Sequence, residues 1–473
     1  MAGAVTLTLR SVWDRSTITL TLDGAVPAGS RLALTSMVVL SPNLYQVGTY
    51  HEFDPDALGA LHVSHPPCHA NDGPLSAFLI LPDDTTRTVA VEPMRTTTPL
   101  TQGAGPLASA ESLALPELVF EGQPAYGFRG LHIDLARQWF EPDVVLRLLD
   151  AAAERRLTHI HLHLTDDEAW RLPVPQYPAL AEVAGTRGHG RPLGPMLGGG
   201  AAAVGRAYTA TEIGRWVEHA RGLGIALVPE VDLPAHNHAA LTALPELRDP
   251  HDTSRAPSVQ HFTDNVLVPG LPTTRPFLEA VVDTLAELFP YSPHLHIGGD
   301  EVPAGAWRGS PVVQALSAEH GLASTRDIEG YFHRELIALV RERTGREVGA
   351  WQEAAESGGL QPGDGYVVGW RSADDCRKLA TAGYDVVVSP GQAYYLDMAI
   401  DSAWDTPGMS WAGSTSLADV HAFEPAAGWT AAERTYLLGV QACLWTELVP
   451  DEATIWQRLL PRLDAIARRA WYG

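Results

Sequence analysis

Lysine is almost missing from this chain: Lys378 is the only one in 473 residues, and arginine supplies nearly all the positive charge. Acidic residues outnumber basic ones by 56 to 33, leaving a formal net charge of −23. A balance so negative argues against nucleic acid and anionic membrane as partners, since both reward basic patches. It suits a neutral substrate better than a polyanionic one. The lysine shortage reads as codon bias rather than function. Cysteine is scarce too. Cys68, Cys376 and Cys443 are odd in number and widely spaced, so neither a disulfide framework nor a CxxC metal pair is expected. No apolar run approaches the roughly 20 residues that span a bilayer. The opening residues, Met1 to Thr8, lack a basic segment followed by a long apolar core. The expectation is a cytoplasmic protein, or a secreted one if a leader has been removed. Composition says nothing of its oligomeric state.

What is present is a globular composition, with 45% hydrophobic and 19% charged residues. Residues 1 to 122 read as a β-rich accessory domain. Val5–Leu9 and Thr17–Leu22 alternate polar with apolar, Asp23-Gly24 gives a turn signal, and Ala77–Leu81 and Thr88–Val91 continue the pattern. From 123 to 473, apolar strands alternate with helical stretches. The candidate strands are Leu131–Leu135, His159–Leu164, Ile225–Val231, Leu295–Gly298, Val348–Trp351, Tyr366–Trp370, Val386–Ser389 and Leu438–Leu444. Helices are expected at Pro142–Arg155, Thr211–Leu223, Pro276–Phe289, Thr325–Arg343, Ser372–Ala382 and Glu452–Ala470. Eight strands separated by helices predict an α/β fold, a (β/α)8 TIM barrel preceded by the β-rich domain. The glycine-rich run Gly185–Gly205 reads as an inserted loop at the rim of the site.

In such barrels the site forms at the C-terminal ends of the strands, and polar residues collect at those positions here. Asp134 and Arg137 follow the first strand and Asp166-Asp167 the second. Glu230 to His236 ends the third, and His296-Ile297-Gly298-Gly299-Asp300-Glu301 the fourth. Later strands deliver Trp351, Trp370, Tyr395, Asp397, Trp445 and Glu447. Carboxylates, one arginine and many tryptophans make a sugar-site inventory, because indole faces stack on pyranose rings and charged groups bind hydroxyls. Gly298 and Gly299 let a ligand approach, and two adjacent carboxyls then enter the cavity. Like charges this close raise one pKa, which keeps a carboxylic acid protonated. An ordinary retaining glycosidase needs its carboxyls about 5 Å apart on opposite sides of the bond, which neighbours cannot readily provide. A substrate that brings its own nucleophile removes that difficulty.

These segments, with Leu131–Arg137, His161–Asp167, Tyr395–Asp397, Trp411-Ala412-Gly413 and Leu444–Glu447, resemble the β-N-acetylhexosaminidases of glycoside hydrolase family 20 in their order over some 350 residues. The resemblance implies exo-acting, retaining hydrolysis of terminal N-acetylglucosamine or N-acetylgalactosamine from oligosaccharides or glycoconjugates, through an oxazolinium intermediate and with no metal or other cofactor. It implies that Glu301 is the acid and base and that Asp300 holds the acetamido N–H. Tyr395 would bind the acetamido oxygen, and Arg137, Asp397 and Glu447 the ring hydroxyls. Trp351, Trp370 and Trp411 would wall the acetamido pocket, with Trp445 under the ring. Asp166 and His236 would stand at the substrate. Asp166 and an Asp232–His236 pair would also orient Glu301, with His163 behind them. Ala235 stands where the family usually has glycine, which a negative φ would accommodate.

Blander readings stand beside these. His159, His161 and His163 alternate like metal ligands on a strand, but satisfied buried histidines are the better account of them. Asp300-Glu301 could be a helix N-terminal acidic pair, and Arg137 a simple ion-pair partner. Trp139, Trp216, Trp456 and Trp471 fall on helical stretches and read as packing residues. A lacto-N-biosidase-like enzyme, a metal-dependent amidohydrolase and a catalytically silent sugar-binding barrel are the rival functions.

Overall fold

The computed structural model describes residues 120–187, 204–260, 262–401, 408, 409, 411–449 and 451–473, together with the backbone of strands nearer the N-terminus. Cys68, Trp404 and most of the Gly185–Gly205 insertion lie outside the described residues. The chain divides into two compact units. Met1–Leu115 forms the first with 190–202 and 403–408; Pro116–His189, Ala203–Ser402 and Met409–Gly473 form the second. In the first unit, seven strands make one sheet, antiparallel except where Val5–Ser11 pairs with His62–Val63, and Met37–Ser41 pairs with Leu44–Val47 in a separate ribbon.

The second unit is a closed barrel of eight parallel strands: β1 (Phe128–Asp134), β2 (His159–His163), β3 (Ala226–Glu230), β4 (His294–His296), β5 (Glu347–Trp351), β6 (Gly365–Gly369), β7 (Asp385–Val388) and β8 (Leu437–Leu444). Pairing of β1 with β8, Phe128 opposite Gly439 through Ile133 opposite Leu444, closes it. The expected (β/α)8 architecture is therefore the observed one. Both faces of the strands are buried, which gives near-continuous apolar runs in β6 and β7. In β1 and β2, Leu131, Ile133, Ile160 and Leu162 face outward into the helix layer and join its core. The alternate residues His132, Asp134, His161 and His163 face inward, all without exposed surface.

Helices begin and end where side chains can cap them. Thr209 and Glu212 form a capping box at the start of Ala210–Leu223, which stops at Gly224 with φ 70°. Ser324 and Asp327 do the same for Thr325–Thr344. Three expectations need correction. The last helix is two, Glu452–Leu459 and Arg462–Tyr472, because Pro461 offers no N–H and its ring blocks continuation. The fourth strand stops at His296, since Gly298 and Gly299 leave it with φ 67° and 100°. Trp139 precedes the first barrel helix rather than lying on it, and packs against Tyr208 and Arg206. Trp216, Trp456 and Trp471 do lie on helices. Among the described residues, no helix is long and apolar enough to cross a membrane, and Cys376 and Cys443 are buried free thiols.

Candidate active site

The turn after β4 carries Asp300 and Glu301, and its shape is set from β3. Asp232 Oδ1 accepts the Gly299 N–H at 2.9 Å, so the chain after His296 wraps around that carboxylate. A Cβ on Gly298 would lie 1.9 Å from Asp232 Oδ1, which leaves glycine as the residue that fits. Two non-glycine residues also take left-handed φ here, Glu301 at 53° and His236 at 55°. Strain at both groups of one contact is a mark of a functional site. Ala235 keeps a negative φ, so its methyl group is accommodated.

Glu301 is the more open of the adjacent acids, its side chain a quarter exposed. His236 Nε2 stands 3.4 Å from Glu301 Oε2 and 3.8 Å from Asp300 Oδ2. On the other side of the ring, His236 Nδ1 meets Asp166 Oδ1 at 3.1 Å. The histidine partner is thus Asp166 and not Asp232, whose Oδ1 is engaged by the Gly299 N–H. Burial, reinforced by Asp232 and then Glu301, holds the Asp300 carboxyl well above the usual range. The like-charge effect expected of the acidic pair therefore falls on Asp300. Burial also pushes Asp232 up to about 7.

Arg137 is clamped in place. Its Nη2 lies 2.6 Å from Asp166 Oδ2 and its Nε donates to Glu168 Oε2 at 2.9 Å. Asp134 Oδ1 accepts the Arg137 N–H at 3.1 Å, while Asp134 Oδ2 accepts the Thr446 N–H, also at 3.1 Å, locking Trp445 and Glu447 beside the arginine. The guanidinium carbon sits 5.1 Å from the Trp445 ring centre. Asp166 gives its oxygens to Arg137, His163, His236 and the Asp167 N–H, so it orients neighbours instead of facing the cavity.

Aromatic rings form the opposite wall. Trp370 stacks near-parallel to Tyr395, 6.5 Å apart at 18°, and Trp411 meets both edge-on at 5.7 Å. Trp411 is 53% exposed and forms the outer lip. Trp351 has no exposed surface. It backs this wall and donates its indole N–H to Glu230 at 2.7 Å, and does not face the cavity as expected. Burial, then Glu447, pushes Asp397 up to about 8. Arg137 Nη1, Asp300 Oδ1, Asp397 Oδ1 and Glu447 Oε2 are buried and make no hydrogen bond among the described residues. Such atoms are costly unless a partner reaches them, and a ring of hydroxyls would.

The model of the glycosyl hydrolase family 20 catalytic domain matches residues 126–473. The chain belongs to glycosyl hydrolase family 20. It is 37% identical to a β-hexosaminidase of Vibrio furnissii over 76% of its own length and 58% of that protein's. The chain therefore spans less than two thirds of that relative. A crystal structure of an inactive mutant of exo β-N-acetylglucosaminidase from Vibrio harveyi is 31% identical, with a TM-score of 0.70 over 82% of this chain and 56% of that one. A crystal structure of an exo β-N-acetylglucosaminidase from Vibrio harveyi in complex with N-acetylglucosamine is 23% identical with a TM-score of 0.79, covers 99% of this chain and 94% of that one, and shows the fold alone.

The family 20 barrel also carries site neighbours that sequence reasoning passed over. Glu353 Oε2 accepts the Trp370 indole N–H at 3.0 Å, and burial, with Asp300 nearby, pushes its carboxyl up to about 8. Glu168 holds Arg137. Glu230 gathers the histidines of β2: its Oε2 lies 2.7 Å from His163 Nδ1 and 3.0 Å from His161 Nε2. Their alternation brings both to one carboxylate, with His163 hydrogen-bonded to it and His161 beside it.

Proposed function

We propose that this family 20 chain is an exo-acting, retaining β-N-acetylhexosaminidase that removes terminal non-reducing β-linked N-acetylglucosamine or N-acetylgalactosamine by substrate-assisted catalysis. The observation that carries this reading is one side chain's setting: Glu301, open to the cavity, with His236 and Asp166 in line behind it and Asp300 beside it. The 2-acetamido oxygen of the substrate attacks its own anomeric carbon while the bond from that carbon to the leaving oxygen breaks. Glu301 gives its proton to that oxygen. Asp300 accepts the acetamido N–H, a contact that with the positive charge developing on the oxazolinium ring favours its ionised form, and so stabilises that charge. Water then attacks the anomeric carbon, Glu301 takes the water's proton, and the ring opens with configuration retained.

The remaining groups bind. Tyr395 donates to the acetamido oxygen; Arg137 Nη1, Asp397 and Glu447 take the ring hydroxyls; Trp445 stacks beneath the sugar and Trp370 with Trp411 encloses the acetamido group. Substrates are N-acetylhexosamine-terminated oligosaccharides or glycoconjugates, and neither nucleic acid nor membrane is a partner. The test is hydrolysis of matched 4-nitrophenyl β-glycosides. Release of single sugars from the N-acetylglucosaminide, with the plain glucoside inert, is expected. Equal rates on both, or hydrolysis confined to a 4-nitrophenyl disaccharide assayed beside them, would overturn the reading.

A further inference from the structure

Barrel interiors are ordinarily filled by branched aliphatic side chains. Here β1 to β4 fill one sector with His132, His161, His163, Glu230 and His296, none with any exposed surface. The strand register makes this possible, since His163 stands opposite Glu230 and Glu230 opposite His296. Glu230 is the hub. Besides His163 and His161 on Oε2, it has the Trp351 indole N–H at 2.7 Å and His296 Nδ1 at 3.1 Å on Oε1. An anion this deep is retained only with such partners.

The decisive geometry is at His163. Its Nδ1 is 2.7 Å from Glu230 Oε2 and its Nε2 is 2.8 Å from Asp166 Oδ2. A neutral imidazole would aim a lone pair at one of those carboxylates, so both nitrogens carry protons and the ring is a cation. Burial alone would push this imidazole down, but Glu230 and Asp166 outweigh it and hold it well above the ordinary histidine range. Histidines around a carboxylate also suggest a metal. Zinc ligands at about 2.0 Å in tetrahedral array stand about 3.3 Å apart, whereas the 2.7 Å between His163 Nδ1 and Glu230 Oε2 is a hydrogen-bond length between the would-be ligands themselves.

We propose that Glu230 and His163 extend the line Glu301–His236–Asp166 into the barrel centre and act as positioning residues for proton donation by Glu301. The inference rests on the reading of Glu301 as the acid. Neither residue touches substrate. Glu230 fixes the His163 cation, the cation keeps Asp166 ionised and aimed at His236, and His236 in turn sets where the Glu301 proton sits. Without the Glu230 charge, His163 becomes neutral and turns a lone pair toward one neighbour.

The test is the leaving-group dependence of kcat/KM. Glu230→Gln keeps the volume and removes the charge; His163→Gln attacks the same link from the other side. Both are assayed on aryl N-acetylglucosaminides ranging from 2,4-dinitrophenyl, whose departure needs no proton, to weakly acidic phenols and a β-linked disaccharide. The expected loss is at least about tenfold on the poor leaving groups and no more than about threefold on dinitrophenyl. An equal loss across the series, as a packing defect gives, would overturn the proposal, and so would no loss. Stoichiometric metal in the purified wild-type protein would overturn it too. Glu301→Gln run in parallel separates the two readings. If it shows no leaving-group dependence, the acid assignment itself fails; if it does and the other variants do not, only this extension fails.

Discussion

Asp232 and Gly299 are joined across two strands by a hydrogen bond of 2.9 Å, and that bond sets the turn that presents the acidic pair. The same carboxylate leaves no room for a side chain at Gly298, where φ is 67° and an added Cβ would fall 1.9 Å from Asp232 Oδ1. Gly298→Ala is expected to break this bond and misplace Glu301. The combined strain and clash should cost about 2 kcal/mol or more of stability. Denaturant unfolding checks the stability and turnover checks the site; wild-type values of both would refute the account.

Glu301→Gln removes the proton and keeps the shape. Turnover on a substrate with a poor leaving group is expected to fall by about 10² to 10⁴-fold, while sugar binding stays measurable by calorimetry. Retention of wild-type turnover would end its assignment as the acid.

If the acetamido oxygen is the nucleophile, a thiazoline that mimics the cyclic intermediate should bind at least about 100-fold more tightly than N-acetylglucosamine. Inhibition constants measured side by side decide it. Equal potency would remove the substrate-assisted mechanism.

Stability should fall as pH rises from 6.5 to 9. Burial raises Asp232 to about 7 and Asp397, Glu329 and Glu353 to about 8, against roughly 4 in the unfolded chain. The folded state therefore holds more protons in this window, and it loses that advantage as pH passes through the folded values. His163 and His236, raised by their carboxylate partners, act in the same direction. The histidines lowered by burial, His132, His159, His294, His296 and His333, oppose this slope near 6.5, where unfolded imidazoles still titrate, and add none above about 8. Melting temperatures across the range check the direction. Glu353→Gln should flatten the curve by up to about 1.4 kcal/mol per pH unit.

The barrel was legible because its strands are buried on both faces and its helices carry capping residues such as Thr209 and Ser324. Helix continuity was not: apolar spacing runs straight across Pro461, where backbone chemistry stops the helix. At the site, residues marked by local pattern were found, Asp300 and Glu301 above all. Partnerships were not. The resemblance implied an Asp232–His236 pair, but the carboxylate on His236 Nδ1 comes from the end of another strand, as Asp166. Trp351 had the right composition for a sugar wall, yet only the fold shows its indole turned toward Glu230. Glu353 went unseen because its role depends on Trp370, seventeen residues away and on the next strand end.

The mouth of the barrel ends in Arg137 Nη1, Asp300 Oδ1, Asp397 Oδ1 and Glu447 Oε2, all buried and without hydrogen bonds among the described residues. Such an atom costs about 1 to 3 kcal/mol wherever neither the protein nor solvent satisfies it. A fitting sugar is then also a removable piece of the molecule's interior, and its occupancy adds to folding stability by mass action. The released monosaccharide should therefore slow the enzyme and lengthen its shelf life together, from the same contacts. Any variant that cures these atoms internally would gain heat resistance and lose its grip on substrate.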